Sequence, residues 1–169
     1  MTTAAIHSNR GDHYQTLVAL DWALTILENP HYKWLEIDSV NFMVDAVVVG
    51  TSVGSKICCQ CKKNQPQFRA WSIHDMEREL EKAFRELVGN QHAQIRFYSR
   101  SDFGALAKLR DYKDLYDNEA GFLENLTKDH EQTNRSLAVL ISEHAPGLST
   151  FDFLCRTTFI VTQDPPRMA

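Results

Sequence analysis

The sequence predicts an α/β protein with a mixed β-sheet flanked by helices, and three observations carry that expectation. Segments with helical apolar spacing alternate with short runs of branched and aromatic residues. Their order is helix, three strands, helix, strand, then further helices, the pattern of a layered mixed sheet. The chain has 169 residues, with 43% apolar and 24% charged content, ordinary for one globular domain able to bury a core.

Each element has its own justification. Between Asp12 and Glu28 the residues Leu17, Leu20, Leu24 and Leu27 recur at helical spacing, and Pro30 follows as a stop. KWLEID (33–38) and FMVDAVVV (42–49) read as strands, GTSVGS (50–55) as a turn or short loop, and KICCQCK (56–62) as the next strand. Ser72 with Asp75 resembles a helix-start box. Behind it Ile73, Met76, Leu80, Phe84 and Leu87 form one apolar stripe, closed by Gly89-Asn90, with Glu81 and Arg85 paired on the outer face. AQIRFY (93–98) returns to strand. Helices follow at 102–110 and about 114–131, with Phe103, Leu106 and Leu109, then Leu115, Phe122 and Leu126, facing inward. SLAVLISEH (136–144) fits helix or strand, because a short apolar run does not reveal its period. FDFLC reads as a helical turn and TTFIVT as a strand. Residues 1–10 read as a flexible N-terminus, 11–162 as the domain and 163–169 (QDPPRMA) as a linker-like tail.

Charge and cysteine content narrow the function classes. A net charge of −4 predicts no general attraction to nucleic acid or anionic membranes, so a polyanion site has to be a local patch. Lys56, Lys62, Lys63 and Arg69 offer one, although most such runs are simply solvated faces. No apolar run is long enough to span a bilayer, and the opening MTTAAIHSNR has neither the basic start nor the apolar segment of a secretory signal. Four cysteines, three of them crowded together, point to reduced thiols and a cytoplasmic protein rather than a disulfide scaffold.

The chemistry concentrates around Asp45, Gln60 and Lys62. If 42–49 and 56–62 form a hairpin in a symmetric register, Asp45 sits directly opposite Gln60 and Met43 opposite Lys62. One carboxylate, one amide oxygen and a backbone carbonyl are donors that Mg²⁺ accepts. A neighbouring ammonium would orient an attacking water and contact a phosphate, which suits phosphodiester hydrolysis. The bland alternative leaves Asp45 solvated on a one-sided sheet.

These residues resemble the PD-(D/E)xK nuclease superfamily, in the version where glutamine precedes the lysine as Gln60-x-Lys62. GDHYQTLVALDWAL, FYSRSDFGALAKL and FDFLCRTTFIV resemble, more narrowly, the double-stranded DNA endonuclease effectors of CBASS and AVAST-type anti-phage systems, across roughly residues 10–162. The resemblance implies a restriction-endonuclease-like fold and an Mg²⁺- or Mn²⁺-dependent endonuclease acting on double-stranded DNA. It also implies an oligomer or a fusion to a C-terminal sensor or ATPase module. Asp45 would be a metal ligand, Gln60 the motif ligand together with the Cys61 backbone carbonyl, and Lys62 the catalytic lysine. Gln15 and Glu36 are additional candidates, and Asp12, Asp21 or Glu28 would supply a helix carboxylate. Lys56, Lys63 and Arg69 would contact DNA phosphates. Glutamine in place of an acid at position 60 weakens metal binding, which keeps a second expectation open: a catalytically degenerate module of the same fold used for DNA binding, protein binding or oligomerisation.

The CCxC run raises zinc and redox alternatives. On a strand Cys59 and Cys61 share one face while Cys58 joins Gln60 and Lys62 on the other, so the thiols diverge where a tetrahedral site needs convergence. They read as small buried hydrophobes. Trp22, Trp34 and Trp71 read as core or boundary residues.

Overall fold

The computed structural model of the chain describes residues 3–38, 47–51, 54–62 and 65–162, with side chains from His13 onward. The elements run α1 (Thr3–Glu28), β1 (Tyr32–Glu36), β2 (Val48–Thr51), β3 (Lys56–Cys61), α2 (Glu77–Gly89), β4 (Ala93–Ser99), α3 (Gly104–Lys113), α4 (Glu119–Glu124), α5 (Lys128–His144), α6 (Thr150–Cys155) and β5 (Thr157–Val161). The strands form one five-stranded sheet in chain order. β1, β2 and β3 are an antiparallel meander. The connection through α2 makes β4 parallel to β3, and the one through α3 to α6 makes β5 parallel to β4. The mixed sheet flanked by helices is therefore the architecture expected from the order of elements.

Each face of the sheet has its own core. On one side α1 sets Tyr14, Val18, Ala19 and Trp22 against Val47, Val49, Ile57, Cys59 and Tyr98. On the other, Val48, Cys58, Ile95 and Phe97 meet residues of the later helices such as Leu80, Phe84, Leu106, Leu137 and Phe153. β3 is thus buried on both faces through its middle, whereas β4 alternates at its start, with Gln94 exposed and Arg96 half-buried, and is buried on both faces only from Phe97.

Two local signals in the sequence form as read. Ser72 and Asp75 bond reciprocally: the Asp75 backbone N–H donates to Ser72 Oγ at 3.1 Å, and the Ser72 N–H donates to Asp75 Oδ2 at 2.9 Å. Met76, Leu80, Phe84 and Leu87 are buried, Ile73 packs against them, and Glu81 accepts from Arg85 on the outer face.

The register of the β2–β3 hairpin differs from the symmetric one. Val48 pairs with Cys58, Val49 with Ile57 and Gly50 with Lys56, a shift of one residue. The cause is the turn. The Thr51 N–H donates to the Ser55 carbonyl at 2.9 Å, and Gly54 adopts φ 79°, so the loop holds three residues with a glycine in the left-handed region instead of two. A one-residue slip exchanges the faces of everything it pairs. The facing of Asp45 and Gln60 presupposed the other register; Asp45 itself, like Lys63, lies outside the described residues.

Two further expectations are corrected. α1 buries Tyr14, Val18 and Trp22, while Leu20, Leu24 and Leu27 are 55%, 53% and 83% exposed. The aromatic stripe wins because it offers more apolar area and a polar handle: Trp22 Nε1 donates to the Tyr98 hydroxyl at 3.2 Å and its ring meets Tyr32 edge-on at 5.3 Å. The helix expected over about 114–131 divides into α4 and α5, capped by Asn118 and Thr127. Because α3 ends at Lys113 and α4 begins only at Glu119, Leu115 is exposed outside any helix, while Phe122 is buried as expected. SLAVLISEH continues α5 as helix.

Candidate functional site

Gln60 and Lys62 are two residues apart at the carboxyl end of β3, so the pleat sends both side chains to the side of Cys58 and the α2 helix. The Lys62 backbone extends the ladder by donating to the Tyr98 carbonyl at 2.8 Å, which fixes its direction. Gln60 is buried, paired in register with Phe97, whose ring stacks on Phe159 at 5.4 Å.

Lys62 Nζ lies 2.8 Å from Glu79 Oε1 on α2 and 4.8 Å from the centre of the Trp71 ring. Both charged side chains are largely withdrawn from solvent, at 16% and 18% exposure. Trp71 is held in turn: its Nε1 donates to Ser99 Oγ at 2.8 Å, and its backbone N–H donates to the Asp102 carbonyl at 2.7 Å. Ser99 Oγ also accepts from the Ser101 N–H, and Ser101 Oγ accepts from the Gln65 N–H. A polar network therefore lines the carboxyl ends of the parallel strands β3 and β4, where open α/β sheets place their ligands. Beside it, Trp71 borders a groove of about 500 Å³ reaching Gln132 and Ser136 of α5.

Of the residues read from the sequence, Gln60 and Lys62 share one face at the end of β3. Glu36 pairs through Val48 to Cys58 and so shares their face, but it stands two strands away, roughly 10 Å across the sheet. Gln15 belongs to the other side, where its Nε2 donates to Asp38 Oδ1 at 2.8 Å. Asp21 and Glu28 are exposed on α1; the Asp12 side chain lies outside the described residues. Lys56 opens β3 at its far end, roughly 20 Å from Lys62 along the strand. Arg69 is exposed and bonded to Asp75 at 3.0 Å, which together with Ser72 holds the Asp75 carboxyl well below its ordinary range.

Glu79 is the residue that sequence reading missed. Of the α2 charges the sequence singles out only Glu81 and Arg85, as an outer-face pair, yet Glu79 sits next to the buried stripe, one position before Leu80, where a carboxylate turns inward along the helix flank. Its position beside an inward-facing position was the available signal. Its partner was not, because nothing local links residue 79 to residue 62.

The thiols behave as packing. Cys58 lies in the core under α2, while Cys59 and Cys61 belong to the core under α1. Burial pushes each of the three thiols up to about 12, which keeps them protonated and poor as nucleophiles or metal ligands. Among the described residues no group of three His, Cys, Asp or Glu side chains is placed to hold a metal ion, and no helix is long and apolar enough to cross a membrane. Comparison with known proteins finds no matching family model, no similar curated protein and no similar solved structure.

Proposed function

We propose that the chain is a metal-dependent endonuclease that hydrolyses phosphodiester bonds of double-stranded DNA, as an effector domain in prokaryotic anti-phage defence. The observation that supports the chemistry is the withdrawn Lys62–Glu79 pair, 2.8 Å apart, beside the buried Gln60 at the carboxyl end of β3. An ammonium held by one carboxylate and one aromatic ring keeps its remaining protons directed, and in this reading they steady a phosphate or a water. Gln60 through its amide oxygen, the Cys61 carbonyl and the Glu79 carboxylate are hard oxygen donors, the type that Mg²⁺ or Mn²⁺ takes and zinc does not require. Such an ion, when bound, polarises the phosphate and acidifies its water. Asp45 stays in this reading through the sequence resemblance alone. Lys56, Lys63 and Arg69 are its phosphate contacts, a fused C-terminal sensor or ATPase module or a second copy its partner, and the cytoplasm its compartment.

A second reading has its own support. Lys62 is already engaged by Glu79, and Gln60 carries no charge, so the same arrangement suits a degenerate module that binds DNA or protein without cutting. A plasmid-nicking assay in Mg²⁺ and in Mn²⁺ separates the two. Nicking by the wild type that disappears in Asp45→Ala supports the nuclease; an intact plasmid with both proteins, alongside retained DNA binding, supports the degenerate module.

A further inference from the structure

We infer that Phe68 is a DNA-contacting wedge, its ring entering a base step of duplex DNA bound at the carboxyl end of β3, beside Lys62. Phe68 closes the short turn Pro66–Phe68 and is 67% exposed. Its backbone adopts φ 53°, directly after Gln67 at φ 56°, so two successive residues with side chains occupy the left-handed region. That conformation is costly for a bulky side chain, and exposure of the ring means that burial offsets little of the cost. A turn that served only to redirect the backbone would be better made with glycine or asparagine at this position. The aromatic ring is therefore kept for what it meets in solvent.

The loop around it is fixed at both ends. Gln65 is buried and its N–H donates to Ser101 Oγ at 3.0 Å, while the Trp71 N–H donates to the Asp102 carbonyl at 2.7 Å. Between these anchors the Phe68 N–H donates to the Gln65 carbonyl at 3.0 Å and the Arg69 N–H to the Pro66 carbonyl at 3.2 Å. A ring on a fixed loop loses little freedom on binding, which a wedge needs because parting two stacked bases is itself unfavourable. Arg69 follows with 58% of its side chain exposed, so a guanidinium can meet a phosphate where the ring meets the bases. No other large apolar side chain from 65 to 76 is exposed. A protein partner requires a contiguous patch, whereas a base step takes a single apolar side chain. Phe68 is three residues from Trp71, the ring that holds Lys62, so their Cα atoms are at most about 11 Å apart, about three base steps. The inference rests on the DNA binding common to both readings above and not on cutting.

Fluorescence anisotropy with a short labelled duplex in EDTA tests it, with thermal melting of each variant alongside. Phe68→Asn weakens binding at least about tenfold and leaves the salt dependence of affinity unchanged, whereas Arg69→Gln lowers the slope of log affinity against log salt by about one. Asparagine suits the left-handed backbone, so the melting temperature of Phe68→Asn holds or rises and lost binding is not lost folding. Phe68→Leu, which keeps an apolar wedge, retains most of the affinity. Duplexes carrying a fluorescent adenine analogue that brightens on unstacking brighten with the wild type and not with Phe68→Asn. Tight binding without brightening overturns the insertion. Wild-type affinity in Phe68→Asn overturns the inference and leaves the nuclease reading standing, with Phe68 then facing a protein partner. A wild type that binds no duplex overturns the DNA reading and the inference with it.

Discussion

Replacing Glu79 by glutamine removes the counter-charge from Lys62 while keeping size and hydrogen-bonding capacity, and its cost is calculable in outline. At 2.8 Å a unit pair attracts by roughly 6 kcal/mol at an effective dielectric of 20 and roughly 1.5 kcal/mol in water. Exposures of 16% and 18% place the pair nearer the first limit, but desolvation of both ions consumes most of the gross attraction. The coupling left is about 1–2 kcal/mol. A double-mutant cycle of Glu79→Gln and Lys62→Met, read by urea unfolding with tryptophan fluorescence, isolates that quantity. Glu79→Gln alone is destabilising, because it leaves an ammonium over Trp71 with no carboxylate. Lys62→Met is destabilising too, because it leaves the withdrawn Glu79 carboxylate without its ammonium, and packing of methionine on the Trp71 ring offsets part of that loss. Strict additivity, with a coupling below about 0.3 kcal/mol, would refute the reasoning and reduce the pair to an ordinary surface contact.

Two further outcomes follow from the same geometry. Of the four cysteines only Cys155 is exposed, and burial pushes the other three up to about 12. A thiol reagent should therefore label Cys155 rapidly at neutral pH, the half-buried Cys61 slowly, and Cys58 and Cys59 only on unfolding; rapid labelling of either of the last two contradicts their burial. Ser72→Ala should cost about 1 kcal/mol at neutral pH by opening the 3-10 turn His74–Met76 that leads into α2. Because the Asp75 carboxyl is held below its ordinary value of 3.8 in the folded protein, its contribution is full above that value and is lost as pH falls through the acid range. The penalty of Ser72→Ala should accordingly shrink in acid, and a penalty constant down to about pH 2 would show that the box does not titrate with folding.

What was legible in the sequence was what local chemistry decides. The Ser72–Asp75 box, the Met76–Leu87 stripe and the Gly89-Asn90 stop all act within α2 and the turn that leads into it, and all three formed. The divergence of Cys58 from Cys59 and Cys61 follows from strand parity alone. Failures came where two local solutions were equally good and tertiary contact chose between them. α1 has two stripes with helical spacing, and the sheet selected the one bearing Trp22. GTSVGS permits a two-residue or a three-residue turn, and the left-handed Gly54 decided the register. Glu79 became part of the site only because α2 crosses over the end of β3. Asp45, whose facing of Gln60 presupposed the other register, enters the proposal through the sequence resemblance.

The most direct test of the proposed chemistry is the plasmid-cleavage rate of Lys62→Ala in Mg²⁺, with circular dichroism confirming that the variant folds. A folded variant that no longer cuts, next to an active wild type, is the result expected. Wild-type rates from that variant would remove Lys62 from the reaction, and with it the assignment of this site.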